Sequence, residues 1–224
     1  MKYFALISYV GETLLPQYDN HATSGVPVVA GHLLDVLMPL FGQNIVDLGS
    51  RSKVADITSQ LSFAAVNLDE DGFCLFYFHG HGDSIPGRDI NDETMDQALV
   101  CYDDYLVDDE ISRILQKFRP TQRLLTLIDC CSSETVIEWP DDPPSGYPKL
   151  IHIASANDGK EAYAIRTGGI FSRKILNLIY NGGYLNFSYK SFINRIKLSS
   201  ITTECIVRWN NRVDKAYLNT NLFR

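Results

Sequence analysis

Hydrophobic residues in this chain form short continuous runs that alternate with longer stretches in which apolar positions recur at helical spacing. Several short runs are apolar at every position, which predicts strands buried on both faces. We predict strands at Tyr3–Val10, Asn44–Leu48, Phe73–Phe78, Arg123–Asp129, Lys149–Ala156 and Glu204–Arg208. We predict helices at Val28–Phe41, Lys53–Asn67, Asp108–Phe118, Ile170–Tyr180 and Tyr189–Leu198. This alternation indicates an α/β fold with a mostly parallel central sheet of about six strands, flanked by helices on both faces.

Polar residues mark the ends of some of these elements. Asp108 and Asp109 carry the negative charge that is favourable at a helix N-terminus, and Ser188 is placed to cap the last predicted helix. Two long polar segments, Asp83–Asp96 and the proline-rich Glu134–Pro148, predict loops. Loops of this length inside a compact domain usually carry a function or move.

The composition is that of an ordinary globular protein, because 45% of the 224 residues are hydrophobic and 21% are charged. This excludes wholesale disorder and collagen-like repeats. No repeat or shift of composition marks a boundary, so we predict a single domain over residues 1–224. The net charge of −7 disfavours a nucleic-acid binder, which needs a basic face to contact phosphates.

The sequence also bears on the cellular compartment. No apolar run approaches the roughly 20 residues that cross a bilayer, and the N-terminus lacks a signal-peptide cleavage site, so we expect no membrane association. The five cysteines do not have the spacing of a disulfide framework; they are Cys74, Cys101, Cys130, Cys131 and Cys205. We therefore expect the protein to be located in the cytoplasm, which is reducing.

Reactive side chains follow two of the predicted strands. The strand Phe73–Phe78 runs into residues 79–83, which read HGHGD, and the strand that begins at Arg123 runs into residues 129–133, which read DCCSS. The carboxyl ends of neighbouring parallel strands meet at one edge of a sheet, where working residues lie in such folds. A thiol beside an imidazole is the minimal device for nucleophilic catalysis, because the imidazole favours the thiolate.

These motifs resemble those of the caspase-like cysteine peptidases, in the branch of the metacaspases and bacterial orthocaspases. That branch carries one apolar strand that ends in Ser-Gly-His-Gly and a second that ends in Asp-(Ser/Cys)-Cys-His-Ser-Gly; here FYFHGHG and LLTLIDCCSS stand in their places. The 50 positions from His81 to Cys131 match the caspase spacing of about 50. Residues 92–115, 151–164 and 168–179 also resemble family segments, so the resemblance spans nearly the whole chain.

The resemblance implies a role for each motif residue. Cys131 would be the nucleophile and His81 the general acid or base, while His79 is the competing choice because it also precedes a glycine. The backbone N–H groups of Gly82 and Cys131 would form the oxyanion hole. The family organisation implies a part like a large subunit over about 1–133, a loop over 134–148 and a part like a small subunit over about 149–224.

The resemblance also implies a substrate pocket. In metacaspases, an Asp two residues before the nucleophile and an Asp after the next core strand accept a basic side chain; Asp129 and Asp158 stand at those positions. The arginines with which caspases hold a substrate Asp are missing in register. We therefore predict an endopeptidase that cleaves after Arg or Lys through a thioester, with no cofactor required for the chemistry.

Some metacaspases are activated by calcium, and four acidic residues here are the candidate ligands. Asp92, Asp108 and Asp109 have matching spacing, and Glu138 would be a fourth oxygen donor. A second explanation of the Asp-Asp-Glu segment is the preference for acidic residues at a helix N-terminus. We consider two other routes to activation, self-cleavage after Lys149 and binding of a separate activator protein. The sequence leaves open whether the protein is a monomer or a dimer.

The chain departs from the family after the nucleophile. Residues 132–134 read Ser-Ser-Glu instead of His-Ser-Gly, and Glu134 places a negative charge close to the thiol. This departure favours a second hypothesis, a catalytically weak caspase-like module for regulation or interaction. A third hypothesis, an unrelated doubly wound hydrolase or nucleotide binder, lacks the expected glycine-rich phosphate motifs.

Overall fold

The computed structural model describes residues 1–18, 23, 25–87, 95–137, 147–165, 168–182, 187–198 and 205–223. Its strands, in chain order, are β1 (Tyr3–Tyr9), β2 (Ile45–Asp47), β3 (Phe73–His79), β4 (His81–Pro86), β5 (Met95–Val100), β6 (Tyr105–Val107), β7 (Arg123–Asp129), β8 (Lys149–Ala154), β9 (Ala164–Ile165), β10 (Gly168–Gly169) and β11 (Ile206–Trp209). Its helices are α1 (Val26–Phe41), α2 (Val54–Asn67), α3 (Asp108–Leu115), α4 (Ile170–Gly182), α5 (Tyr189–Leu198) and α6 (Lys215–Leu218).

Six strands form the central sheet, in the order β11–β8–β7–β3–β1–β2. Every neighbouring pair in this sheet is parallel except β11 and β8, which are antiparallel. The carboxyl ends of β3 and β7 therefore lie side by side, with His79 opposite Asp129. This sheet and the helices around it confirm the predicted α/β fold.

Strand β3 shows why the sheet is apolar on both faces. Phe73, Leu75 and Tyr77 point into one hydrophobic cluster, which also contains residues of α1, α4 and α5. The alternate residues of the strand, such as Phe76, point into a second cluster with residues of α2 and α3. Because every residue of β3 is buried, the strand cannot show the alternation of apolar and polar residues that a half-exposed strand would have.

The predicted helix bounds agree with the structure to within two residues, except at the C-terminal end of α3. Helix α3 begins at Asp108 and carries three acidic residues in its first turn. Helix α5 has the predicted bounds, and the Ser188 hydroxyl accepts a hydrogen bond of 3.1 Å from the Ser191 N–H as an N-cap. Helix α3 ends at Leu115, three residues before the predicted end.

The prediction of one long loop over Asp83–Asp96 is wrong at both of its ends. Strands β4, β5 and β6 form a separate antiparallel sheet, in which β4 pairs with β5 along six residues. The polar β4 sequence, HGDSIP, gives no periodic signal, and its strand conformation depends on the more apolar β5. Within the predicted loop Glu134–Pro148, residues 138–146 lie outside the described residues.

Helix α1 corrects the expectation that no segment is long and apolar enough for a membrane. By length and composition alone, Val26–Asn44 passes as a span, with a mean hydropathy of 1.4 over an 18-residue window. Its inner face packs on the core through Leu33, Leu37 and other side chains, while His32 and Asp35 are exposed. A core helix of a soluble protein passes the same test, so this finding is weak evidence for a membrane span.

Candidate active site

The ends of β3 and β7 bring the predicted site residues to one edge of the sheet. His81 is the first residue of β4, two positions after β3 ends, and Cys131 lies two positions after β7 ends. Both residues line a cavity of about 280 Å³. The imidazole, thiol and carboxylate side chains in its lining are those of His79, His81, Asp129, Cys131 and Glu161.

Cys131 is half-buried and meets the segment that follows β8. Its Sγ accepts a hydrogen bond of 3.3 Å from the Ala162 N–H. Burial raises the pKa of the Cys131 thiol; the Ala162 N–H opposes this rise, whereas the negative charges of Glu161 and Asp129 add to it. At rest, therefore, the thiol is protonated, and a cation near Glu161 would favour the thiolate.

Gly82 packs directly against the segment that carries the cysteines. A Cβ at this position would lie 2.2 Å from the carbonyl oxygen of Cys131 and 2.6 Å from the Sγ of Cys130. No side chain fits in that space, which explains the glycine. This close contact places the backbone of Gly82 beside that of Cys131, the two residues that the resemblance assigns to the oxyanion hole.

His79 belongs to a buried polar network behind the cavity. Its Nε2 accepts a 3.2 Å hydrogen bond from the Gly169 N–H, so the proton of the neutral ring is on Nδ1, which lies 3.1 Å from the Tyr77 hydroxyl. Tyr77 then donates to the Ser172 hydroxyl over 2.8 Å. Burial lowers the pKa of His79, although the nearby Asp129 opposes the shift, so the neutral ring is favoured.

Asp129 ends the same network. Its Oδ2 accepts hydrogen bonds from the Ser172 hydroxyl at 2.6 Å and from the Ser172 N–H at 3.0 Å. The side chain is only 2% exposed. A Cβ on Gly169 would lie 2.1 Å from this oxygen, so the glycine permits the close approach. Asp129 is therefore held firmly at the wall of the cavity.

The second predicted pocket residue, Asp158, lies elsewhere. It is exposed and is not part of the cavity lining. Its two oxygens accept hydrogen bonds from the Thr135 N–H at 3.2 Å and the Thr135 hydroxyl at 2.8 Å. Glu161, three residues later, is the exposed carboxylate that lines the cavity.

Comparisons with known proteins agree with this architecture. Residues 44–140 match the model of the metacaspase peptidase C14 domain, a segment that contains both His81 and Cys131. Caspase-1 from Spodoptera frugiperda has a similar structure, with a TM-score of 0.63, 12% sequence identity, and coverage of 93% of this chain and 86% of caspase-1. This match over residues 44–140 agrees with the resemblance of the sequence motifs to those of the metacaspases.

A second solved structure matches over greater length. Protein GSU0716 from Geobacter sulfurreducens superimposes with a TM-score of 0.78 at 18% identity, covering 100% of this chain and 98% of that protein. At such identities the two structures show the fold alone, which is caspase-like. The sequence matches no curated protein at a significant level.

In this metacaspase-like chain, side-chain contacts brace the turn after Cys131. Ser132 has a left-handed backbone, with φ of 48°, and its hydroxyl accepts a 3.2 Å hydrogen bond from the Gly159 N–H. Glu134 pairs with Arg208. The expectation that Glu134 acts on the thiol is therefore not supported, because the charges that raise the Cys131 pKa come from Glu161 and Asp129.

His152 supports this turn from inside the core, where its side chain is fully buried. Its Nε2–H donates to the Ser133 carbonyl over 2.9 Å, so Nδ1 accepts from the Thr126 hydroxyl at 2.7 Å. Burial lowers the pKa of His152 from 6.5 to about 4. The folded state therefore holds the ring neutral at a pH where the unfolded chain protonates it.

This shift predicts acid-sensitive stability. The unfolded chain binds a proton on His152 below pH 6.5, whereas the folded state does so only below about pH 4, so stability falls as the pH drops through this window. The loss is about 3 kcal/mol from this residue. We expect His152→Gln, measured by urea unfolding at pH 7 and pH 4.5, to show a clearly smaller difference than wild type. An equal difference would contradict the assignment.

The candidate calcium ligands are only partly within the described residues. Asp92 and Glu138 lie outside them. The Asp108 oxygens accept hydrogen bonds from the N–H groups of Gln97 and Asp109, at 2.9 and 3.0 Å, and Asp109 forms an ion pair with Arg113. Within the described part of the chain, no group of three His, Cys, Asp or Glu side chains is arranged to hold a metal ion.

Sequence reasoning missed three residues of this region. Glu161 lies in a segment that was matched to the family, but nothing in the letters distinguishes it from Asp158. Tyr18, whose ring stacks on His81, and Ser172, which binds Asp129, come from segments distant in sequence. Spacing carries no signal for such contacts.

Proposed function

We propose that this chain is a cysteine endopeptidase that cleaves proteins after Arg or Lys, with Cys131 as the nucleophile and His81 as the general acid and base. The observation that supports this most strongly is the shared cavity, in which one thiol and one accessible imidazole meet two carboxylates. The match to the metacaspase peptidase domain supports the coarser class, a caspase-like cysteine peptidase.

In the proposed mechanism, the Cys131 thiol loses its proton to His81 and its sulfur attacks the carbonyl carbon of the scissile bond. The oxyanion that forms would be stabilised by the N–H groups of Gly82 and Cys131. His81 then protonates the leaving amine, which gives a thioester. Water, activated by His81, hydrolyses the thioester and returns the proton to the thiol.

The carboxylates of the cavity support a preference for basic side chains. Asp129 is buried and bound by Ser172, so it contributes a fixed negative charge at the wall. Glu161 is the exposed carboxylate, and we propose that it takes the place in the pocket that the sequence had assigned to Asp158. A guanidinium that enters the cavity would also offset the two charges that raise the thiol pKa. Recognition of the substrate and activation of Cys131 would thus be coupled.

The test is hydrolysis of fluorogenic peptides that end in Arg, Lys or Asp, with and without calcium. We expect cleavage after Arg or Lys to be at least about 100-fold faster than after Asp, because two carboxylates repel the acidic peptide. Cleavage only after Asp would support the Cys131–His81 dyad but contradict the proposed acidic pocket for Arg or Lys. The comparison of the rates with and without calcium decides whether the metal is an activator.

A pair of variants separates the two candidate pocket residues. We expect Glu161→Gln to lower kcat/KM for the Arg peptide at least about tenfold. The same change is expected to raise the alkylation rate of Cys131 by iodoacetamide about two- to fivefold, because an exposed negative charge near the thiol is gone. Asp158→Asn, the matched control, should change neither rate. If Asp158→Asn changed the two rates and Glu161→Gln did not, Asp158 would be the pocket residue.

The second candidate function is a caspase-like module for regulation or interaction with little catalysis. The raised pKa of Cys131 favours it, since a protonated thiol is a poor nucleophile. Absence of cleavage with every peptide, together with slow alkylation of Cys131, would support this candidate. Self-cleavage after Lys149 has a structural obstacle, because Lys149 is the first residue of β8 and its N–H donates to the Gln122 carbonyl.

A further inference from the structure

One face of the His81 imidazole is covered by an aromatic ring from a distant part of the chain. The ring of Tyr18 stacks on that of His81, with 5.2 Å between the centroids and 30° between the planes. His81 lines the cavity, whereas Tyr18 is not part of its lining. The imidazole is therefore in contact with the tyrosine ring and also borders the cavity.

Tyr18 is held in this place by its hydroxyl. The hydroxyl donates a 2.5 Å hydrogen bond to Oδ2 of Asp83, whose Oδ1 accepts the Ser84 N–H at 2.8 Å. His81 and Asp83 are two residues apart on β4 and so project from the same face of the strand. Tyr18 thus covers the first of these side chains with its ring and binds the second with its hydroxyl.

A second set of contacts fixes the segment around Tyr18 to the turn between β5 and β6. The Tyr105 hydroxyl lies 2.9 Å from the Tyr18 hydroxyl and accepts a 2.6 Å hydrogen bond from the Gln17 side chain. Earlier in the segment, the Thr13 hydroxyl donates to the Cys101 carbonyl and the Leu14 N–H donates to the Tyr102 carbonyl. The tyrosine is therefore anchored on the small antiparallel sheet that also carries His81.

We propose that Tyr18 is a positioning residue that restricts the orientation of the His81 imidazole in the cavity that it shares with Cys131. Stacking restricts the rotation of the imidazole, and the face of a phenol ring attracts the imidazolium that forms when the thiol gives up its proton. The hydrogen bond to the Asp83 carboxylate makes the phenol ring more electron-rich and strengthens this attraction. The proposal rests on the proposed role of His81.

The charge balance around the imidazole involves more groups than Tyr18. Cys131, Glu161, Asp129 and His79 line the same cavity as His81. Asp83 reaches the region through its bond to Tyr18. Tyr18→Leu and Tyr18→Phe both remove the hydroxyl that binds Asp83 and leave these charged groups in place, so the difference between the two variants reports the aromatic ring.

The kinetic test compares three variants at position 18 and a remote control. We expect Tyr18→Leu to lower kcat about three- to tenfold with KM unchanged, because the stack acts on the reacting proton and not on the substrate. Tyr18→Phe keeps the ring, and the bonds of Thr13 and Leu14 to the small sheet still anchor its segment, so this variant should recover most of the rate. Tyr180→Leu removes a tyrosine that is 73% exposed and should behave as wild type. Tyr18→Trp, with a larger ring, serves if the Leu variant fails to fold.

Two further readouts do not depend on peptidase activity. The imidazole protons of His81 should show an upfield ring-current shift in proton NMR that is lost in Tyr18→Leu and kept in Tyr18→Phe. The alkylation rate of Cys131 should fall in the Leu variant by the same three- to tenfold factor. If wild type cleaves no peptide but these two changes occur, the proposed function fails and the positioning role of Tyr18 stands. Unchanged alkylation and unchanged kcat in Tyr18→Leu would overturn the role of Tyr18.

Discussion

Replacement of Cys131 by alanine is expected to lower peptide cleavage about 10³-fold or more, because no other atom in the cavity can form the thioester. The effect should be on kcat, since the carboxylates that would bind the basic side chain stay in place. The measurement is kcat and KM for an Arg peptide, made on variants shown to be folded by circular dichroism. Appreciable residual cleavage would contradict the assignment of the nucleophile.

The adjacent cysteine provides a matched control for this change. Cys130 is 1% exposed, and burial raises its pKa well above the ordinary thiol value. Cys130→Ala should therefore keep the activity and lose only some stability. Mass spectrometry after limited alkylation should find iodoacetamide on Cys131 in this variant and on neither position in Cys131→Ala. If Cys130→Ala lost the activity and Cys131→Ala kept it, Cys130 and not Cys131 would be the nucleophile.

The central sheet could be predicted because its strands are buried on both faces. A run such as FCLFYF belongs in the interior, its alternation with helical segments indicates a sheet between two layers of helices, and β3 occupies that place with every residue buried. Strand β4 could not be predicted in this way. It is mostly polar and half-exposed, and β5, the strand that pairs with it among the described residues, lies nine or more residues along the chain.

The candidate site shows the same limit at the level of side chains. His81 and Cys131 could be placed together from sequence because each follows the end of a neighbouring parallel strand. The carboxylate beside them could not, since Asp158 and Glu161 follow the same strand within three residues of one another. Which of them faces the cavity depends on the bonds of Thr135 with Asp158 and on the path of the chain past Cys131. Such contacts leave no periodic trace in the sequence.

The buried network behind the cavity gives His79 a structural task. The donors run in one direction, from His79 through Tyr77 and Ser172 to the Asp129 carboxylate. Each donor thus has an acceptor, and the buried Asp129 side chain accepts two hydrogen bonds from Ser172. A histidine that is occupied at both nitrogens and only 3% exposed cannot also take a proton from Cys131 without breaking these bonds.

The two histidines are therefore expected to respond to substitution in opposite ways. His81→Ala should lower kcat about 10²- to 10⁴-fold, the usual contribution of a general acid and base, and change the free energy of unfolding little because the side chain is half-buried. His79→Ala should lower the free energy of unfolding by about 1–3 kcal/mol, since it leaves the Gly169 N–H without its buried acceptor and removes the donor to the Tyr77 hydroxyl, which keeps only its bond to Ser172.

The comparison needs both measurements on both variants, namely kcat for the Arg peptide and the urea midpoint of unfolding. A loss of activity in the His79 variant is informative only when the variant is folded under the assay conditions. His79→Gln serves as the milder form, because its amide can meet one of the two partners. If the His79 variants keep wild-type stability and lose activity while His81→Ala stays active, the general acid and base is His79. The register of the Gly-His-Gly motif would then be shifted by two residues, which would place the thiol opposite the buried imidazole.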